Sequence, residues 1–158
     1  MRQRVIQRGL TSIEMIIATA ILLVVIASIF ALYNRMIVVS HNTVQKTQAH
    51  FLVEEGLEAM RTIRDTSFDS FFALLRDTDY GLAFDGTNWA TTTPGTLVDG
   101  VFDRRVVVSD VYRDAIGHIA LSGTLDDGTV QVSVAVSWNN AGEVFTEESS
   151  AYFSRLYE

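Results

Sequence analysis

The chain contains no cysteine in its 158 residues, which excludes a disulfide framework and any thiolate metal site. Between Leu10 and Glu55 it has neither glycine nor proline. Those two residues most often end or break helices, so the interval allows one uninterrupted helix. Charge is missing from residues 15–33, MIIATAILLVVIASIFALY, where Thr19 and Ser28 are the only polar side chains. Nineteen such residues approach the roughly 20 that cross hydrocarbon as a helix. This run accounts for much of the 48% apolar content and the mean hydropathy of +0.22. Acidic residues are absent from the first nine positions: all 19 follow Gly9, whereas Arg2, Arg4 and Arg8 precede the apolar run. Basic residues flanking one end of a span mark that end as cytoplasmic, so the N-terminus is expected inside and the acidic remainder outside.

Several kinds of chemistry are also missing. No GxSxG, HExxH, P-loop or dinucleotide fingerprint occurs, and no enzyme is expected. His41 and His50, nine apart, fall on opposite faces of a helix, and His118 stands alone in a strand region, so no metal or catalytic role is expected of them. Asp126 and Asp127 in TLDDGTV fall short of the six to eight oxygen ligands calcium takes, and a hairpin turn at Asp127-Gly128 is the expectation. Glu147 and Glu148 are adjacent in a predicted strand and should point to opposite faces, which disfavours a paired acid and base. Arg104 and Arg105, the densest basic pair outside the N-terminus, should likewise diverge into surface salt bridges. No basic stripe for phosphate exists, and nucleic acid is not an expected partner. Neither a cofactor nor a metal is expected.

What is present divides the chain into a helix and a sheet. The helix is read over residues 11–65. In its second half Ala49, Leu52, Val53, Gly56, Met60 and Ile63 share one side, and Glu54, Glu58, Arg61 and Asp65 the other. That pattern predicts an apolar stripe packed on the head, with Arg61 spaced to pair with Glu58 and Asp65. A short helix is expected over 68–75. Beyond residue 80, Asp85-Gly86, Asp127-Gly128 and Asn139-Asn140-Ala141-Gly142 separate apolar runs as hairpin turns do. In TVQVSVAVSW, Val130, Val132, Val134, Val136 and Trp138 alternate with Gln131, Ser133, Ala135 and Ser137, which predicts a strand with one buried face. Further strands are expected over 101–112, 116–121 and 144–156, and Trp89 is expected in the core. The fold class is α+β: one long N-terminal helix packed on a small antiparallel β-sheet head.

The junction RQRVIQRGLTSIEMIIATAILLVV resembles the class III signal of type IV pilins and type II secretion pseudopilins. Gly9 stands where that family is cut, Leu10 takes the place of the first mature residue, Glu14 occupies the fifth mature position, and the apolar run follows without a gap. The resemblance implies cleavage between Gly9 and Leu10 by a prepilin peptidase, N-methylation of Leu10, and side-by-side packing of the helices into a pilus or pseudopilus. The physics of the segment agrees with a retained helix. An ordinary secretory signal is cut behind its apolar region at a small-residue site, and the only A-x-A here, Ala18-Thr19-Ala20, lies inside the run.

A carboxylate within a membrane helix is disfavoured by about 2.5–3.5 kcal/mol, so Glu14 needs a partner. The family resemblance implies that this partner is the charged N-terminal amine of a neighbouring subunit. Thr11-Ser12-Ile13-Glu14 also reads as a capping box, with Thr11 the cap and Glu14 at N3; the two readings are compatible. Ala27 and Ala31 sit four apart, a spacing that permits close helix approach but is common in membrane helices.

The expected organisation is therefore a leader over residues 1–9, a transmembrane half of the helix over 10–39, an extracytoplasmic half with its connection over 40–79, and a head over 80–158. The helix-kinking Pro and Gly of many major pilins and their C-terminal disulfide loop are absent, and FLVEEGLEAMRTIRD ahead of a strand-rich region looks like minor pilins of the V type and I-type pseudopilins. The expected function is a minor pilin or pseudopilin, single-pass in the cytoplasmic membrane before assembly. Its expected partners are prepilin peptidase and other subunits. The alternative is a membrane-anchored extracytoplasmic binding domain that does not polymerise. Loss of Arg2, Arg4 and Arg8 with the leader would shift the net charge from −7 to −10.

Overall fold

The computed structural model describes residues 11–140 and 142–155, apart from the side chains of residues 38 and 41. Its element order is α1 (Ser12–Thr66), α2 (Phe68–Phe72), β1 (Asp79–Phe84), β2 (Trp89–Thr92), β3 (Leu97–Val98), β4 (Phe102–Arg113), β5 (Ile119–Ala120), β6 (Thr124–Asn140) and β7 (Glu143–Ser154). One long N-terminal helix followed by a seven-stranded antiparallel sheet is the α+β layout expected. The chain divides into two compact units at Thr43/Val44.

From Ser12 onward the first unit is helix. Its most apolar 18 residues have a mean hydropathy of 2.9, and none of them is buried against the rest of the chain. A single helix has no second layer to cover it, so a surface of this composition is stable only against lipid or another apolar partner.

In the second unit the strand order is β2-β1-β4-β6-β7, with β3 and β5 also pairing with β4. The two long central strands carry the architecture. β4 and β6 are antiparallel from Asp103↔Ser137 to Arg113↔Thr124, and β7 pairs with β6 from Asn140↔Glu143 to Thr129↔Ser154. Val106 and Val108 of β4 and Val130, Val132, Val134, Val136 and Trp138 of β6 are buried in one core. The predicted alternation therefore holds, and Gln131, Ser133, Ala135 and Ser137 take the opposite face.

The second half of α1 closes that core. Ala49, Val53, Gly56 and Met60 are buried, Leu52 and Ile63 partly so, and Glu54, Glu58, Arg61 and Asp65 are exposed. Gly56 marks the closest approach, since a Cβ there would stand 2.7 Å from Val134 Cγ1. Leu57 and Ala59 widen the apolar stripe beyond its predicted members. Past the helix end, Phe71 and Phe72 seal the core, Phe71 lying 5.7 Å from Phe153. The Arg64 guanidinium lies over the Phe153 ring at 5.4 Å and that of Arg155 over Phe72 at 4.8 Å.

Four expectations need correction. Asp127-Gly128 is not a hairpin turn: it lies within β6, where the register jumps from Asp110↔Val130 to Val111↔Asp126 and the extra β6 residues form a bulge. A local turn signal cannot distinguish these outcomes, because both need a residue pair that leaves the regular pleat. The strand over 116–121 shrinks to Ile119–Ala120, since Asp114 accepts from the backbone N–H groups of Ile116 and His118 and bends the preceding residues into a turn. The helix over 68–75 stops at Phe72. Trp89 is half-buried at a hairpin, its ring tilted 38° against that of Phe84 with centroids 5.1 Å apart, and does not join the core. β1 and β2 flank Asp85-Gly86 as the expected hairpin, whereas the short strand β3 has no counterpart among the expected elements.

Candidate functional site

The residues singled out at the start of the chain fall on both sides of the first described residue. Gly9 and Leu10, the expected cleavage and methylation positions, lie outside the described residues. Thr11 and Glu14 are described, and they form half of the capping box. Glu14 Oε2 accepts from the Thr11 N–H at 2.8 Å and from the Thr11 hydroxyl at 2.9 Å. In place of the reciprocal bond, the Glu14 N–H donates to the Thr11 carbonyl at 3.0 Å. The carboxylate thus lies over the first turn, where free N–H groups and the helix dipole favour negative charge.

Behind Glu14 the helix presents lipid-compatible surface without a loose polar group. The Thr19 hydroxyl donates to the Met15 carbonyl at 2.9 Å and the Ser28 hydroxyl to the Val24 carbonyl at 2.8 Å, so both polar side chains of the run are satisfied inside the helix. Ile16, Leu23, Phe30 and Ile37 stand out from it at seven-residue intervals, all exposed. Ala27 and Ala31 are also exposed. One helix long and apolar enough to span a membrane therefore stands at the N-terminal end of the chain.

In the head, the candidate polar residues resolve into structural pairs. Arg104 and Arg105 do diverge, but only Arg105 makes surface salt bridges, to Asp79 and Asp103 at 2.9 and 2.8 Å. Those two carboxylates, Asp103 first, raise the Arg105 pKa. Arg104 corrects the expectation: it is buried, donates to Glu55 of α1 and lies with its guanidinium 5.3 Å from the Trp89 ring. No sequence signal separates it from Arg105, because only the pairing of β4 beneath α1 decides which arginine points inward.

Glu147 sits opposite buried Val136 with Lys46 at 3.8 Å, while Glu148 is opposite Ala135 on the other face. Arg61 pairs with Glu58 at 2.9 Å, but Asp65 is taken by Arg64 at 2.8 Å rather than by Arg61.

Asp126 is held by Arg113 at 2.6 Å and by the Gly128 N–H at 3.1 Å. The Arg113 hydrogen bond depresses its carboxyl pKa most strongly. Asp85 is depressed as well, because its carboxylate accepts from the backbone N–H groups of Asn88 and Thr87 at the β1–β2 turn. His118 is exposed with Asp114 at 3.8 Å, and His50 contacts the Phe51 ring at 6.4 Å. Among the described residues there is no group of three or more His, Cys, Asp or Glu side chains able to hold a metal.

Sequence reasoning missed a hollow of about 350 Å³ between Asp110, Tyr112, Ile119, Leu121, Gln131 and Tyr152. These residues come from four strands and the loop after one of them, so no local pattern joins them. No family model, curated protein or solved structure matches the chain.

Proposed function

We propose that the chain is a minor pilin or pseudopilin, a non-enzymatic subunit cleaved after Gly9, N-methylated at Leu10 by prepilin peptidase and assembled through its apolar helix into a type IV pilus or type II secretion pseudopilus. The observation that carries the reading is the arrangement at the head of α1. A basic leader ends at Gly9, a carboxylate follows at Glu14, and an apolar span runs without interruption into the segment that covers an antiparallel sheet. This layout is compatible with a pilin-like shape.

The chemistry proposed for Glu14 rests on charge neutralisation. Cleavage creates an α-amine at Leu10, with an ordinary pKa near 8, and methylation leaves it protonated at neutral pH. A carboxylate and an ammonium that are each costly in hydrocarbon neutralise one another when one subunit lies beside the next. The Thr11 contacts support this role, since they hold Glu14 in the first turn beside the new terminus. Subunits that meet this way bury the long exposed apolar face, which no other part of the described chain covers.

The test is the mature N-terminus, determined by mass spectrometry of protein recovered from cells that carry a prepilin peptidase. Expected is a methylated chain beginning at Leu10. Retention of residues 1–9, or a cut elsewhere, overturns the assignment. In the same cells Glu14→Leu should leave insertion and cleavage intact and lower incorporation into filaments at least tenfold, the loss of about 1.4 kcal/mol or more; unchanged incorporation would remove the pairing role.

A further inference from the structure

We propose that Arg35 is a phospholipid-binding residue: where α1 leaves the hydrocarbon, its guanidinium holds the phosphate of a lipid headgroup, with Asn34 beside it. Arg35 is the only Asp, Glu, Lys or Arg between Glu14 and Lys46. It is exposed, on a helix whose most apolar stretch nothing in the described chain covers.

The depth of this arginine follows from length. The 20 residues from Met15 to Asn34 carry no charged side chain, and at 1.5 Å each they rise about 30 Å, the thickness of a hydrocarbon core. A span that begins beside Glu14 therefore ends beside Arg35, in the layer where phosphates stand. Tyr33, Asn34 and Arg35 mark the same level in a second way. Successive helical residues are about 100° apart, so these three polar-tipped side chains take three sides of the helix within about 3 Å of rise. Tyr33 is 63% exposed, the interfacial place that tyrosine favours at the edge of a bilayer. A polar belt around the helix matches a planar headgroup layer, whereas a protein partner would meet one face only.

Charge selects the occupant. A guanidinium at the edge of hydrocarbon needs an anionic partner. On α1 the nearest carboxylates, Glu14 and Glu54, lie 21 and 19 positions from Arg35, about 31 and 28 Å along the axis and far outside the reach of an ion pair. Lipid phosphate is the anion present at that depth in every phospholipid bilayer, and the planar fork of arginine takes two of its oxygens at once.

The helix surface leaves room for the lipid. Ala31, Asn34, Arg35 and Val39 line a shallow hollow of about 440 Å³. Ala31 stands one turn before Arg35, and helical side chains lean over the preceding turn, so its small methyl leaves space for the arginine stem and for an acyl chain alongside. Val39 continues the apolar surface at the other end, and Asn34 supplies an amide donor next to the guanidinium. The contact fixes the depth at which the chain rests in the bilayer, because each residue of axial sliding carries the guanidinium 1.5 Å from the phosphate layer.

The test uses phosphatidylglycerol as the probe, titrated into the full-length protein in nonionic detergent and followed by native mass spectrometry. The parent is expected to retain the lipid, and Arg35→Gln to retain it at least tenfold more weakly. Glutamine has a helix propensity close to that of arginine, so the circular dichroism spectrum of Arg35→Gln should be unchanged. Replacing Arg2, Arg4 and Arg8 together by glutamine should leave retention as in the parent, which separates the site from the basic N-terminus. Digalactosyldiacylglycerol, with the same acyl chains and no phosphate, should be held at least tenfold more weakly by the parent, and inorganic phosphate at equal concentration should not compete. No lipid on the parent, equal retention by Arg35→Gln, loss of retention in the Arg2, Arg4 and Arg8 variant, equal retention of the galactolipid, or displacement by inorganic phosphate would each overturn the proposal. The site rests on the apolar span and not on the filament reading: Arg35→Gln should still be cleaved after Gly9, and a mature N-terminus other than Leu10 would leave the lipid contact standing.

Discussion

Replacing Gly56 by alanine should destabilise the head, reversing the sign that this substitution has at an exposed helical position. In an ordinary helix interior, Gly→Ala gains about 0.8–1.0 kcal/mol through propensity. Here the new methyl would stand 2.7 Å from Val134 Cγ1, 3.4 Å from Val134 Cγ2 and 3.5 Å from Arg104 Cδ. Val134 is fully buried and β-branched, opposite Val106 on one side and Ser149 on the other, so its side chain has little room to turn. Overpacking of this kind costs about 1–3 kcal/mol. Set against the propensity gain of about 0.8–1.0 kcal/mol, the net loss reaches about 2 kcal/mol, a fall in Tm of up to about 10 °C for a domain of this size.

The assay is thermal unfolding of the full chain in detergent, followed by the fluorescence of Trp138, which is buried and stacked on Phe145 at 5.7 Å. Val134→Ala in the Gly56→Ala background should recover about 1 kcal/mol relative to additivity, because each change makes room for or fills the other. A Gly56→Ala protein as stable as the parent, or a strictly additive pair, would refute the claim that α1 and β6 meet at hard contact.

The buried ion pair predicts an order of effects. Glu55→Ala leaves the Arg104 charge buried without its carboxylate and should cost about 1–3 kcal/mol, less than the roughly 3–5 kcal/mol of a fully buried pair because the Glu55 side chain is 48% exposed. Arg104→Met removes the buried charge together with its desolvation and should cost less; urea unfolding that ranks the two the other way would contradict this account. Asp126 predicts an acid dependence. Its folded pKa lies below the unfolded value, so its pairing with Arg113 stabilises the head fully above pH about 4 and is lost as pH falls through the folded value. The stability difference between the parent and Asp126→Asn should therefore shrink as pH falls below about 4, and a difference that stays constant on acidification would show that Asp126 does not couple folding to protons.

Much of the architecture is legible residue by residue. The helix read over residues 11–65 matches α1 to within one residue at each end, and Glu54, Glu58, Arg61 and Asp65 do face solvent. The Val130-to-Trp138 alternation identifies β6 and its buried face. The same reasoning fails at Asp127-Gly128, because a bulge and a turn ask for the same residues, and at Arg104, whose neighbour Arg105 has the same local chemistry. Of the candidate site, the Thr11–Glu14 contact is visible in four residues of sequence. The hollow beside Leu121 is not, since its walls lie up to 42 positions apart, from Asp110 to Tyr152.

The amino-acid order by itself determined an apolar span, the helix that contains it, the sidedness of its charges and the faces of the longest strand. These depend on hydropathy and periodicity, which act over a few residues and need no partner. The tertiary structure alone decided that Gly56 touches Val134, that Arg104 and not Arg105 turns inward, that Asp126 binds Arg113, and that Leu121 and Tyr152 line one hollow. Each of these follows from strand register and from the path of α1 across β4 and β6, and register is selected by the packing of the whole core rather than by any one segment.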